Sequence, residues 1–270
     1  MKIGNREFDV QNETYIMGIL NATPDSFSDG GNYNSVDAAL KHTELMIQQG
    51  ADIIDVGGES TRPGYTQITD EEEIDRVVPI IEGIKREFDI PVSLDTYKSH
   101  VAKAGIGAGV DLINDIWGLK YDEQMAEVIA KGNVACCLMH NRKDTLYQQF
   151  VEDVLADLKE SVALAKQAGI AEDKIILDPG VGFAKDYEQN LLIIKEVHRM
   201  KELGYPILLG TSRKSVIGLT LDVPAQERVV GTVATTLWGV EQGCAFFRVH
   251  DVLENSQAIQ MIRAICNVNV

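Results

Sequence analysis

One short pattern recurs along this chain and constrains its fold more than any other feature. Its clearest copy lies at residues 174–183, where an apolar run ends in Asp178 and is followed by Pro179 and Gly180. The run is too short and too apolar for an amphipathic helix, and a proline followed by a glycine ends regular structure. The pattern therefore predicts a buried strand that carries a carboxylate at its C-terminal end.

Similar runs alternate with segments that have the apolar spacing of helices. We predict eight strands, at residues 14–20, 52–56, 91–95, 111–116, 133–140, 174–178, 206–210 and 244–250. We predict helices at residues 36–49, 70–88, 98–108, 122–130, 150–168, 187–203, 225–240 and 253–265, with Thr69 as N-cap of the second.

Strands that alternate with helices pair in parallel through right-handed crossovers, and eight such units suit a closed barrel. We therefore predict an α/β protein, a single (β/α)8 TIM barrel over residues 1–270 with a short N-terminal hairpin at residues 2–10. The alternative is an open doubly wound sheet, whose G-x-G-x-x-G fingerprint is missing after the first strand. Gly105 and Gly107 have nearly the right spacing, but they end a predicted helix instead of starting one.

Composition restricts the partners and the compartment. The net charge of −16 argues against general binding to nucleic acids or membrane surfaces, because both need an excess of basic residues. No apolar run approaches the roughly 18 residues that span a bilayer, and the N-terminus lacks the apolar core of a signal peptide, so we expect a cytoplasmic protein. The cysteines are expected to be reduced core thiols without C-x-x-C spacing: Cys136, Cys137, Cys244 and Cys266.

Polar residues stand where the predicted strands end, and the active site of such a barrel forms at that end. Carboxylates, an amide and an ammonium group can read the edge of a flat heterocycle, whereas arginine and histidine suit an anion. This set predicts a polar heterocycle joined to a phosphate-like group. Its members are Asn21, residues 25–29, Glu59, Thr61, Arg62, Asp95, Asn114, Asp115, His140, Asp178, Ser212, Arg213, Lys214, Arg248 and His250.

Seven motifs stand in a fixed order along essentially the whole chain: NATPDSFSDGG, DVGGESTRPG, SLDT, NDI, LDPGVGF, GTSRKS and RVHD. Together they resemble the motif set of the dihydropteroate synthase family. The resemblance implies an enzyme that condenses (7,8-dihydropterin-6-yl)methyl diphosphate with 4-aminobenzoate. The products would be 7,8-dihydropteroate and diphosphate, in folate biosynthesis.

The resemblance also implies roles for single residues. The pterin would be bound by Asp95, Asn114, Asp178 and Lys214. An ionised carboxylate that faces the 2-aminopyrimidinone edge can accept two N–H bonds from it. Asp95 and Lys214 would also be catalytic, together with Arg248 and His250.

The diphosphate would be bound by Asn21, Thr61, Arg62, Arg248 and His250. Asn21 matches the family's magnesium position, and Mg²⁺ takes few protein oxygens when phosphate oxygens and water complete its shell. The cofactor expected is therefore Mg²⁺. An Asx turn at Asn21 is the structural alternative.

The aminobenzoate pocket is expected to have Phe27, Pro63 and Phe183 as apolar walls and Ser215 at the carboxylate, and sulfonamides should compete there. Phe27 could also be an ordinary buried anchor. We expect residues 21–33 and 57–64 to form loops that close over the diphosphate. We expect His140 to line or support the pocket, not to act as a base.

Two other functions fit part of the pattern. A corrinoid-dependent pterin methyltransferase resembles this family in its barrel and pterin residues, but has no use for the diphosphate residues. A non-catalytic pterin-binding paralogue would be expected to lack loop or anion-binding residues that this chain retains.

For the synthase we expect a dissociative substitution assisted by Mg²⁺. Apolar faces at residues 229–240 and 253–265 suggest a homodimer, and the alternative is that they are the inner faces that all barrel helices pack on the strands.

Overall fold

The computed structural model describes residues 1–22, 31–59 and 67–268. Within them, an antiparallel hairpin of β1 (Lys2–Ile3) and β2 (Arg6–Glu7) precedes eight parallel strands. These strands are β3 (Tyr15–Asn21), β4 (Ile53–Gly57), β5 (Val92–Asp95), β6 (Leu112–Asp115), β7 (Ala135–Met139), β8 (Ile175–Asp178), β9 (Leu208–Leu209) and β10 (Phe246–Val249).

Helices follow the strands in turn. They are α1 (Gly31–Gln48), α2 (Asp70–Glu87), α3 (Ser99–Gly107), α4 (Met125–Gly132), α5 (Phe150–Gln167), α6 (Tyr187–Lys195), α7 (Ser215–Leu221), α8 (Val229–Gln242) and α9 (Val252–Cys266). The second of them begins as predicted, since the Thr69 hydroxyl oxygen accepts the backbone N–H of Glu72 at 3.1 Å. Acidic residues in its first turn and Lys85 and Arg86 in its last turn suit the helix dipole.

The eight strands close into a barrel. Their order is β8-β7-β6-β5-β4-β3-β10-β9, and the pairs within this order are parallel. The two outer strands of this order meet through a parallel bridge between Leu177 and Ile207. The backbone N–H of Leu177 also donates to the carbonyl of Pro206 at 2.9 Å. The predicted TIM-like barrel with its N-terminal hairpin is confirmed.

The hairpin covers the N-terminal end of the barrel. Ile3 and Phe8 are buried with inward-facing strand residues, and the Phe8 ring lies 4.8 Å from the ring of Tyr15 and 5.8 Å from that of Phe246, measured between centroids. Aromatic rings in this arrangement fill the space and exclude water. The aromatic cluster closes the barrel interior at this end, so a pocket for a polar ligand can open at the opposite end, where the strands end.

The main core lies between the strands and the helices. The outward-facing strand residues, such as Val56, Leu94 and Leu177, share this core with helix residues such as Ile81 and Leu158. Because both faces of each strand are buried, the strands appear in the sequence as continuous apolar runs.

Several predicted elements differ in detail. The predicted helix at 187–203 is α6 followed by a 3₁₀ helix, Val197–Leu203, and a 3₁₀ turn, Ala225–Glu227, precedes α8. The strand at 206–210 shrinks to the two residues of β9. The prediction that the cysteines are core thiols is confirmed for Cys136, Cys137 and Cys244, which are buried. It is wrong for Cys266, which is exposed because the last residues of α9 and the two that follow, 264–268, all face solvent.

Candidate active site

The pleat of the strands brings the polar residues together. Successive side chains of a strand point to opposite faces, so positions two apart share the barrel interior. One inward layer is apolar and includes Met17, Ile53, Leu112, Ile176 and Phe246. Two residues further along the same strands, towards their C-terminal ends, the side chains are Ile19, Asp55, Asn114, Asp178 and Arg248. A polar layer thus sits directly on an apolar floor.

Arg248 lies at the centre of this layer. Its Nε donates to Oδ2 of Asp55 at 2.6 Å, and one terminal nitrogen donates to Oδ2 of Asp95 at 2.7 Å. Asp55 is fully buried and also accepts the Ser93 hydroxyl at 2.5 Å and the Asn114 amide at 3.4 Å. Although burial opposes it, the two carboxylates raise the pKa of Arg248, so the guanidinium stays charged and fixed in direction.

One carboxylate oxygen of Asp95 accepts no hydrogen bond from the described residues. Its Oδ1 is buried and has no hydrogen-bond partner among the residues that the structure describes. Burial raises the pKa of this carboxyl, while the charge of Arg248 acts in the opposite direction. A buried acceptor without a donor costs about 1–3 kcal/mol, so such an atom points to a ligand N–H.

Asp178 and Lys214 face each other across Gly210. The backbone N–H of Gly180 donates to Oδ1 of Asp178 at 2.6 Å and orients the carboxylate. A Cβ placed on Gly210 would lie 3.5 Å from Oδ2 of Asp178, 3.9 Å from Nζ of Lys214 and 3.9 Å from Cβ of Arg248. Glycine at this position therefore leaves a space that three functional side chains surround.

The ammonium group of Lys214 is held by the loop after β8. It donates to the carbonyl of Val181 and lies 4.9 Å from the centroid of the Phe183 ring, a cation–π distance. Burial lowers the pKa of Lys214 to about 8, against the opposing charge of Asp178.

His250 is tied to the loop after β9. The Ser212 hydroxyl lies 2.9 Å from Nδ1 of His250 and accepts the backbone N–H of His250 at 3.1 Å. Beside it, Arg213 makes two hydrogen bonds, of 3.0 and 2.5 Å, to the carboxylate of Asp251. These contacts join the segment that carries Lys214 to the end of β10.

The other predicted site residues lie further out or outside the described ranges. Asn21 is exposed at the C-terminal end of β3, Phe183 is half-buried, and Ser215 is exposed as the first residue of α7. The predictions for Phe27, Thr61, Arg62 and Pro63, and for closure of their loops, concern residues outside the described part of the chain.

Two polar strand-end residues stabilise the fold instead of facing the barrel mouth. Asp115 accepts the backbone N–H groups of Trp117 at 2.8 Å and Leu119 at 2.7 Å, which forms the turn after β6. Glu59 accepts the ammonium of Lys98 at 2.8 Å and the hydroxyl of Tyr97 at 2.5 Å.

His140 lies behind the pocket wall with both ring nitrogens occupied. Its Nε2 is 3.0 Å from Oδ2 of Asp157, and its Nδ1 is 2.8 Å from Nζ of Lys185. Burial lowers the pKa of His140 to about 4, so the ring is neutral at physiological pH. A neutral ring with both nitrogens bonded is poorly suited to act as a general base.

Comparison with known proteins identifies the family. The family model described as "Pterin binding enzyme" matches residues 17–250. The chain is 63% identical over 262 residues to the dihydropteroate synthase of Clostridium beijerinckii, covering 97% of each chain. It is 51% identical over 255 residues to the dihydropteroate synthase of Bacillus subtilis, covering 94% of this chain and 90% of the relative.

The chain belongs to the dihydropteroate synthase family. Enzymes of this family are transferases of folate biosynthesis. This chain is therefore a transferase of that kind, as its motifs predict. The methyltransferase and the non-catalytic paralogue are not favoured by these relatives.

Solved structures of dihydropteroate synthases have the same fold. The enzyme from Clostridium difficile, solved in the presence of pteroic acid, superposes with a TM-score of 0.93 at 51% identity, covering 96% of this chain and 99% of that one. The Yersinia pestis enzyme in a sulfonamide drug complex gives 0.93 at 38% identity, with 99% of each chain covered. The Xanthomonas albilineans enzyme with 4-aminobenzoic acid gives 0.91 at 39% identity, with 96% and 95% covered.

Sequence reasoning missed Asp55 in this member of the dihydropteroate synthase family. The residue sits inside β4, two positions before the strand end, and was hidden among apolar neighbours. The sequence does contain a signal for it. Asp55 is two positions after the inward-facing Ile53 and therefore points to the same face, and an acid buried in an apolar run requires a charged partner. Which partner it has depends on β10, whose Arg248 is 193 positions away.

Replacing Asp55 with asparagine should destabilise the protein. The change removes a buried charge from the Arg248 pair, and breaking such a pair costs about 3 kcal/mol. We expect the free energy of unfolding, measured by urea denaturation, to fall by about this amount. Glu87→Gln is the matched control, since Glu87 pairs with Arg86 on the surface and should change stability by less than about 0.5 kcal/mol. Equal unfolding midpoints for the two variants would contradict the role of Asp55.

Proposed function

We propose that this protein condenses (7,8-dihydropterin-6-yl)methyl diphosphate with 4-aminobenzoate to give 7,8-dihydropteroate and diphosphate. The observation that carries the proposal is the unpaired, buried Oδ1 of Asp95 within a layer of polar groups at the barrel mouth; no partner for it lies in the described residues. A flat heterocycle with N–H groups along its edge supplies the missing donor. Membership of the dihydropteroate synthase family supports the same substrate.

The pterin ring is bound by four side chains. Asp178 accepts N–H groups of the 2-aminopyrimidinone edge, because each carboxylate oxygen has two lone pairs and Gly180 uses one of them. Asn114 contributes an amide, and Lys214 donates to the ring carbonyl and the bridging nitrogen. Asp95 accepts a further N–H, and its negative charge favours positive charge on the ring.

The diphosphate binds beside the pterin, at the end of β10. Arg248 offers donors in a planar fork that suits phosphate oxygens, and His250 follows two residues later, just past the end of β10. Asn21 at the end of β3 also belongs to the site. Thr61 and Arg62, which lie outside the described residues, are proposed to bind the diphosphate as well. Ser212 orients His250 through the contact with its Nδ1.

Asn21 suits a magnesium ion. Its side chain supplies an oxygen ligand at an exposed strand end, and β3 pairs directly with β10, which carries Arg248. When bound there with phosphate oxygens and water, Mg²⁺ would neutralise negative charge on the diphosphate. Asn21 is the residue of this chain proposed to hold the ion.

The substitution is dissociative. The bond between the exocyclic carbon of the pterin and the diphosphate oxygen breaks, and the electron pair leaves with the diphosphate, which Arg248 and His250 bind. Asp95 and Asp178 stabilise the positive charge that the pterin shares with that carbon. The amine of 4-aminobenzoate then forms the new C–N bond and loses a proton to solvent. No covalent intermediate with the enzyme forms.

The aminobenzoate lies at the outer edge of the pterin site. Phe183 forms an apolar wall and Ser215 at the start of α7 binds the carboxylate, and Phe27 and Pro63 are proposed to complete the pocket. The sulfonamide complex of the Yersinia pestis relative supports competition by sulfonamides at this pocket.

The location and domain organisation are also proposals. In the described ranges, no helix is long and apolar enough to cross a membrane. We propose a cytoplasmic location because a charged diphosphate substrate stays in the compartment where it is made. We propose that residues 1–270 form one domain, because Val252 and Ile259 of α9 are buried in the same core as residues of the barrel helices.

Release of diphosphate tests the proposed reaction. In the presence of Mg²⁺ and the pterin diphosphate, the parent protein should consume one 4-aminobenzoate for each diphosphate released. Asp178→Asn and Arg248→Ala should each lower kcat/KM by about 10²-fold or more, because each removes a charge that faces the reacting substrate. Asp173→Asn is the control, since Asp173 lies in the 3₁₀ turn before β8 and should turn over like the parent.

Two results would refute this proposal. If Asp178→Asn turned over at the parent rate, the pterin site would not lie at this end of the barrel. Pterin binding by the parent without any release of diphosphate would favour a methyltransferase relative or a binding protein.

The pH dependence of turnover should report on Lys214. Its ammonium is charged below a pKa of about 8, and the charged groups that face it are Asp178, Asp95 and Arg248. As the pH rises through 8 the positive charge is lost, so kcat/KM for the pterin diphosphate should fall. Lys214→Arg should be less active than the parent protein. Because arginine stays protonated, however, the activity of the variant should persist to higher pH. The measurement is kcat/KM between pH 6 and 10 for both proteins. If kcat/KM falls at the same pH in both, the titrating group is not Lys214.

We propose that the protein is a homodimer joined through α8 and α9. These helices pack side by side and leave a shallow groove lined by Val230, Val233 and Ala258, and the exposed Met261 lies one turn further along α9. Exposed apolar surface of this kind is typical of an interface.

Light scattering on the intact chain tests the dimer. Val230→Glu should reduce the mass from that of a dimer to that of one chain, because it puts a charge into the apolar face. Leu146→Glu is the control, since Leu146 is equally exposed but lies between β7 and α5. A parent protein with the mass of one chain would refute the proposal.

A further inference from the structure

The loop between β8 and α6, residues 179–186, carries three contacts of the proposed pterin site. The N–H of Gly180 orients the carboxylate of Asp178. The carbonyl of Val181 accepts the ammonium of Lys214, and the Phe183 ring lies beneath that ammonium. The position of this loop therefore sets the directions of two side chains that bind the pterin.

The backbone of this loop is left-handed at three positions, and at one of them, Ala184, the residue has a Cβ and is strained. Gly180 and Gly182 have φ angles of 69° and 84°, and Ala184 has a φ of 46°. For a residue with a Cβ, the left-handed region costs about 1–2 kcal/mol. A Cβ on Gly180 would overlap the carbonyl oxygen of His140, so the loop is also pressed against the end of β7. Interactions elsewhere must hold this arrangement.

Lys185 supplies that support from within the loop. Its side chain is buried, and Nζ donates to the carbonyls of Gly180 and Phe183, each at 3.0 Å. The third bond of Nζ is to Nδ1 of His140 at 2.8 Å. An ammonium has three N–H donors, so these three acceptors use all of them.

The histidine end of this contact is fixed in turn. Because Nδ1 of His140 accepts from Lys185, the ring proton is on Nε2, which donates to Oδ2 of Asp157 at 3.0 Å. Arg142 also donates to that carboxylate, at 2.5 Å. The ammonium of Lys185 is thereby linked to α5 and to the end of β7, which are rigid parts of the barrel.

A second side chain holds the helix side of the loop and also Gly182. Asn190 of α6 donates to the carbonyls of Lys185 and Asp186 at 3.1 and 2.7 Å, and its side-chain oxygen accepts the N–H of Gly182 at 2.5 Å. The helix side of the loop is thus anchored without the lysine ammonium. Lys185 anchors the carbonyls of Gly180 and Phe183, which lie on either side of Val181 in the part of the loop that contacts Asp178 and Lys214.

We propose that Lys185 is a positioning residue for pterin binding, which holds residues 179–183 so that Val181 and Phe183 keep the Lys214 ammonium directed at the ring. The inference rests on the proposed function. Lys185 acts through Lys214 and does not touch the substrate, since its three donors are bonded within the protein.

A double-mutant cycle tests this role. Lys185→Met, Lys214→Met and the double variant are compared with the parent by calorimetric titration with the pterin diphosphate and Mg²⁺. We expect Lys185→Met to weaken pterin binding about 10-fold, whereas the double variant binds within about twofold of Lys214→Met alone. Lys195→Met, which removes an exposed ammonium from the end of α6, is the control and should bind like the parent.

Other outcomes would overturn the proposal. Losses that multiply in the double variant would mean that Lys185 does not act through Lys214, and unchanged binding by Lys185→Met would mean that it positions nothing. If Lys185→Met does not fold, Lys185→Gln takes its place in the cycle because its amide keeps two N–H donors. A parent that binds the pterin diphosphate but releases no diphosphate would refute the reaction, and the cycle, measured by binding, would still decide the role of Lys185.

Discussion

The guanidinium of Arg248 lies inside the barrel mouth, and a charge in that position requires opposite charge around it. Asp55 and Asp95 supply it at 2.6 and 2.7 Å, and Ser93 and Asn114 complete the bonding of Asp55. The desolvation of these groups is tolerable only because each is hydrogen-bonded in a fixed direction. The same pairing leaves one oxygen of Asp95 without a donor in the described ranges, and this connects the electrostatics of the barrel to its ligand.

Around this charged centre, the site is assembled from loops that the barrel holds rigidly. Asp178, at the end of β8, is oriented by the loop that follows it, and the same loop holds Lys214 from the next unit of the barrel. The apolar floor and the hairpin exclude water from the opposite end. Polar groups in such a closed environment interact more strongly than in water, so small displacements of the loop would have large effects on binding.

Much of this arrangement can be predicted from the amino-acid sequence. Eight apolar runs, each ending in polar residues, are enough for the barrel, and Thr69 marks a helix start correctly. The alternation of side chains along the last predicted strand places Arg248 and His250 on one face, and this stays a prediction because β10 ends at Val249. The sequence marks Asp55 as an inward-facing acid but does not mark Lys185, and it shows the partner of neither, because those partners are 193 and 45 positions away in the chain. The prediction for Cys266 was wrong, since the apolar spacing of α9 continues past the part of the helix that packs on the barrel.

The sequence by itself determined the alternation of strands and helices, the end of the barrel where chemistry is possible, and the residue types available there. These depend on local periodicity and on residues close in the chain, which a sequence displays directly. Only the tertiary structure decided which charges pair, which carboxylate oxygen is left without a donor in the described ranges, and which groups each lysine near Asp178 contacts. Lys214 and Lys185 are both cations near Asp178, but their ammonium groups point in different directions. The Lys185 ammonium donates to the loop backbone and to His140, whereas the Lys214 ammonium lies beside the open space at Gly210. Such directions follow from the closure of the barrel, which brings distant strands side by side.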